Sequence, residues 1–193
     1  AARQHLGRVL SSGNIRIGFH PDNLPFSYYN ARGDLVGLDI DMAHRLARDL
    51  GASIEFVPFN FATLSAQLED DHFDLAMSGI ALTVRRSRSF PASPSYLSVN
   101  LAFVVRDFEQ RLFVDLETIA AARQISVDLE TDSYFAAAIR AWLPNVKQVE
   151  LWSESEFFEG PPQHMDALAT TAEAGSAWTL LFPEYTVVNP FRQ

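Results

Sequence analysis

Apolar and polar positions alternate over Ile15-Arg16-Ile17-Gly18-Phe19, the period of a strand with one buried face. Asp22-Asn23-Leu24-Pro25 breaks that strand. Phe26-Ser27-Tyr28-Tyr29 and Leu35-Val36-Gly37-Leu38 then flank Asn30-Ala31-Arg32-Gly33-Asp34, which predicts a hairpin around a short glycine-containing loop. Ile40, Ala43, Leu46, Ala47 and Leu50 recur at helical spacing, and Gly51 supplies the stop. The pattern next predicts a strand over 54–58, a helix over 62–68 and a short buried strand over 73–77 that runs into Ser78-Gly79. Residues 1–13 read as a lead-in helix ended by Ser11-Ser12-Gly13.

A second set follows. Leu101-Ala102-Phe103-Val104-Val105-Arg106 is a strong strand, followed by the charged stretch 107–111. Strands are predicted at 125–127, 149–151, 167–169 and 185–188, with a helix over 133–143 closed by Pro144, a helical turn over 154–158 and a helix over 172–181. No internal repeat or low-complexity tract interrupts the series. Alternating strands and helices predict α/β architecture with a mostly parallel sheet, here as two small lobes, 14–106 and 107–193, joined near 106–108. Ligands of such sheets sit at the carboxyl ends of the strands. That directs attention to the loop after Phe19, the segment after Phe59, and Ser78-Gly79-Ile80.

Composition narrows the chemistry. The chain has 193 residues and is 48% hydrophobic, enough for a packed core and too apolar for a disordered chain. It has no cysteine, which excludes a disulfide framework, a thiolate nucleophile and a cysteine zinc site. No apolar run approaches the roughly 18 residues of a membrane span. No charged-then-apolar leader is visible, so a secretory signal, where one exists, has been removed or lies outside these residues. The formal net charge is −9. Up to Arg106 ten acids balance ten arginines; from Asp107 onward 14 acids face four Arg and one Lys, so the whole imbalance lies in the second half. An acidic chain is a poor nucleic-acid binder. P-loop, GxGxxG, GxSxG and HExxH motifs are absent, and His5, His20, His44, His72 and His164 lack metal-ligand spacing. Neither metal nor cofactor is predicted.

Four motifs carry a resemblance: Pro25-Phe26, Gly37-Leu38-Asp39-Ile40-Asp41, Asp74-Leu75-Ala76 and Thr83-Val84-Arg85-Arg86. In this order and spacing the chain resembles the bacterial extracellular solute-binding proteins of the polar amino-acid family, which have the type II periplasmic-binding fold, two α/β lobes that close on a small ligand. Beyond residue 107 the likeness is looser and rests on Leu129-Glu130-Thr131-Asp132-Ser133 and Met165-Asp166-Ala167. Segment 172–178 is similar to versions of the domain attached to membrane transporters. Family members continue past the last strand and return to the first lobe, so that return is expected to be missing here. The resemblance implies an extracytoplasmic domain that takes an amino acid or related organic acid and serves a membrane transporter or receptor module.

It also implies site residues. Arg86 stands where the family's arginine clamps the ligand α-carboxylate; a guanidinium offers a planar fork of donors for that contact. Read alone, without the surrounding motif, Arg86 is a surface charge in a basic run with Arg85 and Arg88. Ser78, Gly79 and Ala81 line the same strand end, and Ala81 replaces a hydroxyl that the family often has. Phe61 stands where an aromatic ring packs on the ligand side chain, although core packing is the default for any of 15 phenylalanines. His20 occupies a usually acidic place and Asn23 a usually aromatic one. Thr131, Asp132 and Ser133, at a strand-to-helix junction, offer hydroxyls and helix N–H groups, or ordinary capping. Thr171 falls where an aspartate usually holds the ligand ammonium, with Glu173 two residues on. A buried ammonium without a charged partner is costly, which leaves open a carboxylic acid lacking the amine, or a register that restores Glu173.

Two other readings stay open. Cyclohexadienyl dehydratases look like this family and use a cleft carboxylate for acid catalysis, a role for Glu173 or Asp132. A domain that has lost its ligand and serves as an interaction module is the third.

Overall fold

The computed structural model describes residues 2–121, 126–130, 135–159 and 166–191. They form two compact units, one ending at Pro94 and the other beginning at Ser95.

In the first unit, helix α1 (Ala2–Ser12) enters strand β1 (Asn14–Phe19) through Gly13. Strands β2 (Asp22–Asn23), β3 (Ser27–Tyr29) and β4 (Leu35–Val36) make a small antiparallel sheet. Helix α2 (Leu38–Asp49), β5 (Ser53–Pro58), α3 (Leu64–Glu69), β6 (Leu75–Ala76) and α4 (Val84–Ser89) follow. The main sheet has the order β5-β1-β6 and is parallel throughout, with Ile17 opposite both Phe56 and Leu75. All three carboxyl ends therefore open on one edge. Ile15 and Ile17 pack with Ala43 and Ala47 of α2 and Val9 of α1. Phe59, Leu64 and Phe73 form a second cluster. At Gly18 a Cβ would come within 2.7 Å of the Phe73 ring, so the missing side chain is what lets that ring lie against β1.

α1 is fastened by charge as well as by Val9. The Asp74 side chain, 2% exposed, accepts from Arg8 Nε at 2.9 Å, from Arg8 Nη2, from the Arg16 N–H at 2.8 Å and from Arg16 Nη2 at 3.0 Å. Asp74 was legible only as part of a motif; its physical task is to tie α1 and β1 to the chain just before β6.

The second unit begins with β7 (Leu101–Arg106), a 3-10 segment (Asp107–Phe113) and α5 (Leu116–Ala121). It continues through β8 (Ser126–Glu130), α6 (Ala136–Trp142), β9 (Lys147–Leu151), α7 (Ser155–Glu159), β10 (Ala167–Thr171), α8 (Ala172–Leu181) and β11 (Tyr185–Val188). Its sheet has the order β11-β7-β10-β8-β9. β8 is parallel to β9 and β10, whereas β7 is antiparallel to both its neighbours, so this sheet is mixed where a mostly parallel one was expected. Strand 101–106, assigned above to the first lobe, pairs wholly within the second unit. The reason is burial: its first five residues are enclosed, with Phe103 and Val105 facing Phe113, Ile119 and Ile139, and Val104 facing Leu151, Phe157 and Leu168. Such a strand needs a partner on each edge, and β10 and β11 supply them.

Candidate functional site

The parallel sheet of the first unit ends at Phe19, Pro58 and Ala76. The residues just beyond, His20 to Asn23, Phe59 to Phe61 and Ser78 to Ala81, are gathered on its carboxyl edge by the hydrogen bonds and ring contacts that follow.

Ser78 is 1% exposed and turns its hydroxyl inward. Its Oγ accepts from the His20 N–H at 3.0 Å and lies 2.5 Å from Ser27 Oγ, which also bonds the His20 carbonyl at 2.7 Å. The Asn23 amide donates to the Ser78 carbonyl at 2.6 Å. These bonds lock the loop after β1 onto the turn after β6. Ser78 and Asn23, both expected to line a ligand site, thus spend these groups on holding it together. Ser27 is a contributor the sequence reading missed; a buried serine in a hairpin carries no local signal.

Gly79 adopts φ +57°, and a Cβ there would come within 2.3 Å of the Phe26 ring. Its N–H donates to Asp39 Oδ2, a second contact the sequence reading missed. Gly79, expected to line the ligand site, thus has its backbone donor engaged by Asp39.

Arg86 is 7% exposed, while Arg85 and Arg88 on the same helix are exposed. Thr83 begins α4: its Oγ1 accepts from the Arg86 N–H at 3.2 Å, an N-cap that satisfies one of the orphan donors of the first turn. The Arg86 guanidinium donates through Nη1 to the Ala81 carbonyl at 3.1 Å, and its Cζ lies 5.1 Å from the centroid of the Phe61 ring. A buried guanidinium needs such partners to offset its lost hydration. Of the two rings after β5, Phe59 is core at 4% exposure and Phe61 is half-buried.

His20 is 7% exposed and stacks on Phe61. Its Nδ1 accepts from the Asp22 N–H at 3.2 Å, which assigns the neutral ring's proton to Nε2. Burial pushes its pKa below the ordinary imidazole value, against a weaker upward pull from Asp22. The place taken by an acid in the resemblance is here a neutral ring.

In the second unit Thr171 ends β10 and caps α8, its Oγ1 accepting from the Ala174 N–H at 3.0 Å. Two residues on, Glu173 Oε2 is buried with no hydrogen-bond partner among the described residues. Thr131, Asp132 and Ser133 lie outside the described residues. Among those described, no cluster of His, Asp and Glu is arranged to hold a metal ion, and no helix is long and apolar enough to cross a membrane.

The model of a known family, the bacterial extracellular solute-binding proteins, family 3, matches residues 15–173. Cyclohexadienyl dehydratase of Pseudomonas aeruginosa is 39% identical over 119 residues, 62% of this chain and 44% of that protein. The histidine-binding periplasmic protein of Escherichia coli K12 is 32% identical over 92 residues, 48% of this chain and 35% of that one. These matches take in less than half the length of either relative. The crystal structure of an ancestral amino acid-binding protein, a precursor of cyclohexadienyl dehydratase, superposes with a TM-score of 0.86 at 26% identity, covering 95% of this chain and 80% of that one.

Proposed function

Since the chain belongs to the bacterial extracellular solute-binding proteins, family 3, with the type II periplasmic-binding fold, we propose that it captures a small carboxylate-bearing solute, an amino acid or related organic acid, outside the cytoplasm. The observation that carries this reading is Arg86: a buried guanidinium, braced by the Ala81 carbonyl and by Phe61 at the carboxyl edge of a parallel sheet. A planar fork of donors suits a carboxylate, and a neighbouring half-buried ring suits the apolar part of the same molecule. Ser78 and Gly79 have the supporting task of shaping the turn, and His20 and Asn23 that of shaping the loop beside it. A membrane transporter or receptor module is the partner such a domain serves.

The test is a thermal-shift screen with L-arginine, L-histidine, L-glutamate and succinate. A binder present at a hundredfold its Kd stabilises the folded state by about 2.7 kcal/mol, which for a chain of this size raises Tm by roughly 5–10 °C. A panel of amino acids and dicarboxylates that leaves Tm unmoved counts against the reading.

One observation favours a second reading, a dehydratase. Glu173 carries a buried carboxylate oxygen without a hydrogen-bond partner among the described residues, and the similarity to cyclohexadienyl dehydratase includes no family-wide guarantee of binding alone. Glu173 would then protonate the ring hydroxyl of prephenate or arogenate as general acid: the C–O bond breaks to release water, and the ring carboxylate leaves as CO2, its C–C electron pair completing the aromatic ring. Incubation with prephenate and with arogenate, followed by chromatography for the aromatic product, decides it; no product removes this reading.

A further inference from the structure

The motif Gly37-Leu38-Asp39-Ile40-Asp41 opens α2, and its two carboxylates differ sharply in setting. Asp41 is exposed and sits in the first turn, where a negative charge meets the positive end of the helix dipole. Asp39 is 2% exposed. A helix-dipole role does not require that burial, and a carboxylate withdrawn from water persists only where hydrogen bonds compensate it. The Asp39 carboxylate lies on the Gly79 N–H, a charge-assisted bond of the stronger class.

The same turn of helix holds a second segment. The Leu38 and Asp39 N–H groups donate to the Pro25 and Phe26 carbonyls at 3.1 and 3.0 Å, in place of a side-chain cap at Gly37. Phe26 in turn lays its ring against Gly79, at the spot where a Cβ would stand. Gly79 is thus gripped by a carboxylate at its N–H and by a phenyl ring at its Cα. Two residues further, the Ala81 carbonyl receives Arg86 Nη1 at 3.1 Å. That carbonyl follows directly on the turn that Asp39 and Phe26 contact.

The geometry points to Asp39 as a positioning residue for Arg86: its carboxylate fixes the Gly79 turn and, through the Ala81 carbonyl, the place of the guanidinium. The inference rests on the reading of Arg86 as the carboxylate clamp for its consequence in binding, but the coupling itself is measurable without any ligand.

The experiment follows two resonances by NMR, the Gly79 amide and the Arg86 Nε–H, in the wild-type chain and in Asp39→Asn and Asp39→Ala. Removing the charge, then the acceptor, moves the Gly79 amide upfield in two steps, and the Arg86 signal moves with it while amides of β5 keep their positions. Affinity for whichever of L-arginine, L-histidine, L-glutamate or succinate binds the wild type falls about threefold in Asp39→Asn and about tenfold in Asp39→Ala. A merely structural role lowers Tm without moving the Arg86 signal. An Arg86 signal that stays in place while the Gly79 amide moves overturns the proposal, in either variant, so failure of Asp39→Ala to fold leaves Asp39→Asn to decide. Should none of the four probes bind the wild type, the binding reading fails while the paired resonances still decide the role of Asp39.

Discussion

The imidazole of His20 lies flat against the ring of Phe61, with centroids 4.9 Å apart and planes 19° from parallel. The ring is buried, and its Nδ1 is occupied as an acceptor by the Asp22 N–H. Protonation would place a charge in a dry site, and this burial lowers the pKa against the weaker upward pull of Asp22. The unfolded chain then binds the proton more readily than the folded one. Stability is full above the ordinary imidazole pKa of about 6.5 and falls as pH drops below it, until the lower folded pKa is reached. Urea unfolding at about pH 7 and about pH 5 should show this loss in the wild type and a smaller one in His20→Phe, which keeps a ring on Phe61 but cannot titrate. Equal losses in the two proteins would show that His20 is not the group responsible.

Arg86 offers the direct test of the clamp. Arg86→Lys keeps a charge but loses the planar fork, so affinity for an acid ligand should fall about ten- to hundredfold, the equivalent of one charge-assisted hydrogen bond of about 1.5–3 kcal/mol. Calorimetric titration with the probe that raises Tm reads this out. Arg85→Ala and Arg88→Ala, on exposed positions of the same helix, should leave affinity unchanged. If all three variants bind alike, the guanidinium of Arg86 is not the anchor.

These roles were unevenly legible in the sequence. The alternation over 15–19 and the helical repeat from Ile40 to Leu50 placed β1 and α2 closely, because each buries one face and so writes its period into the chain. Thr83 and Arg86 were visible as a motif, and the cap that joins them is a local, three-residue relation. What stayed hidden depends on distant contacts. Strand 101–106 is apolar at almost every position, so nothing in it names its partners, and only the pairing with β10 and β11 assigns it to the second unit. The short helix α4 carries three arginines and no apolar stripe, and gave no helical period. The inward turn of Ser78 and the grip of Asp39 on Gly79 join residues about forty to sixty positions apart, beyond any local pattern.

Asp74 predicts a different kind of loss. Arg8 and Arg16 hold its carboxyl well below the usual carboxylate range, against the opposing effect of burial. Stability from this group is present above the unfolded value near 3.9 and disappears only as pH falls through the much lower folded value. Asp74→Asn removes the charge at every pH. The two arginines are 37% and 25% exposed, so water recovers part of what they lose, and the cost should be about 2 kcal/mol rather than the 3–5 kcal/mol of a fully buried pair. Denaturant unfolding measures it, and hydrogen exchange should show α1 losing protection first. A variant as stable as the wild type, with α1 equally protected, would mean that Val9 and its apolar neighbours hold the helix unaided.

Thr171 separates a structural hydroxyl from a binding one. Its Oγ1 accepts from the Ala174 N–H at 3.0 Å at the start of α8, and a capping threonine replaced by alanine costs about 1 kcal/mol. Thr171→Ala should lower stability by that amount, and Thr171→Ser, which keeps the hydroxyl, should restore most of it. If capping is the whole task of the side chain, ligand affinity at equal folded protein is the same in all three. If the hydroxyl also meets the ligand, affinity falls in Thr171→Ala and returns in Thr171→Ser, and the fall exceeds anything the loss of stability explains at a temperature where every variant is folded. The ammonium question is settled by the same proteins. Thr171 carries no charge to pair with an amine, so succinate and L-glutamate should not be separated by the large factor that a buried amine–carboxylate pair confers, on the order of tenfold or more. A strong preference for the amine-bearing probe, abolished by Glu173→Gln, would move that role to Glu173, whose buried Oε2 has no hydrogen-bond partner among the described residues.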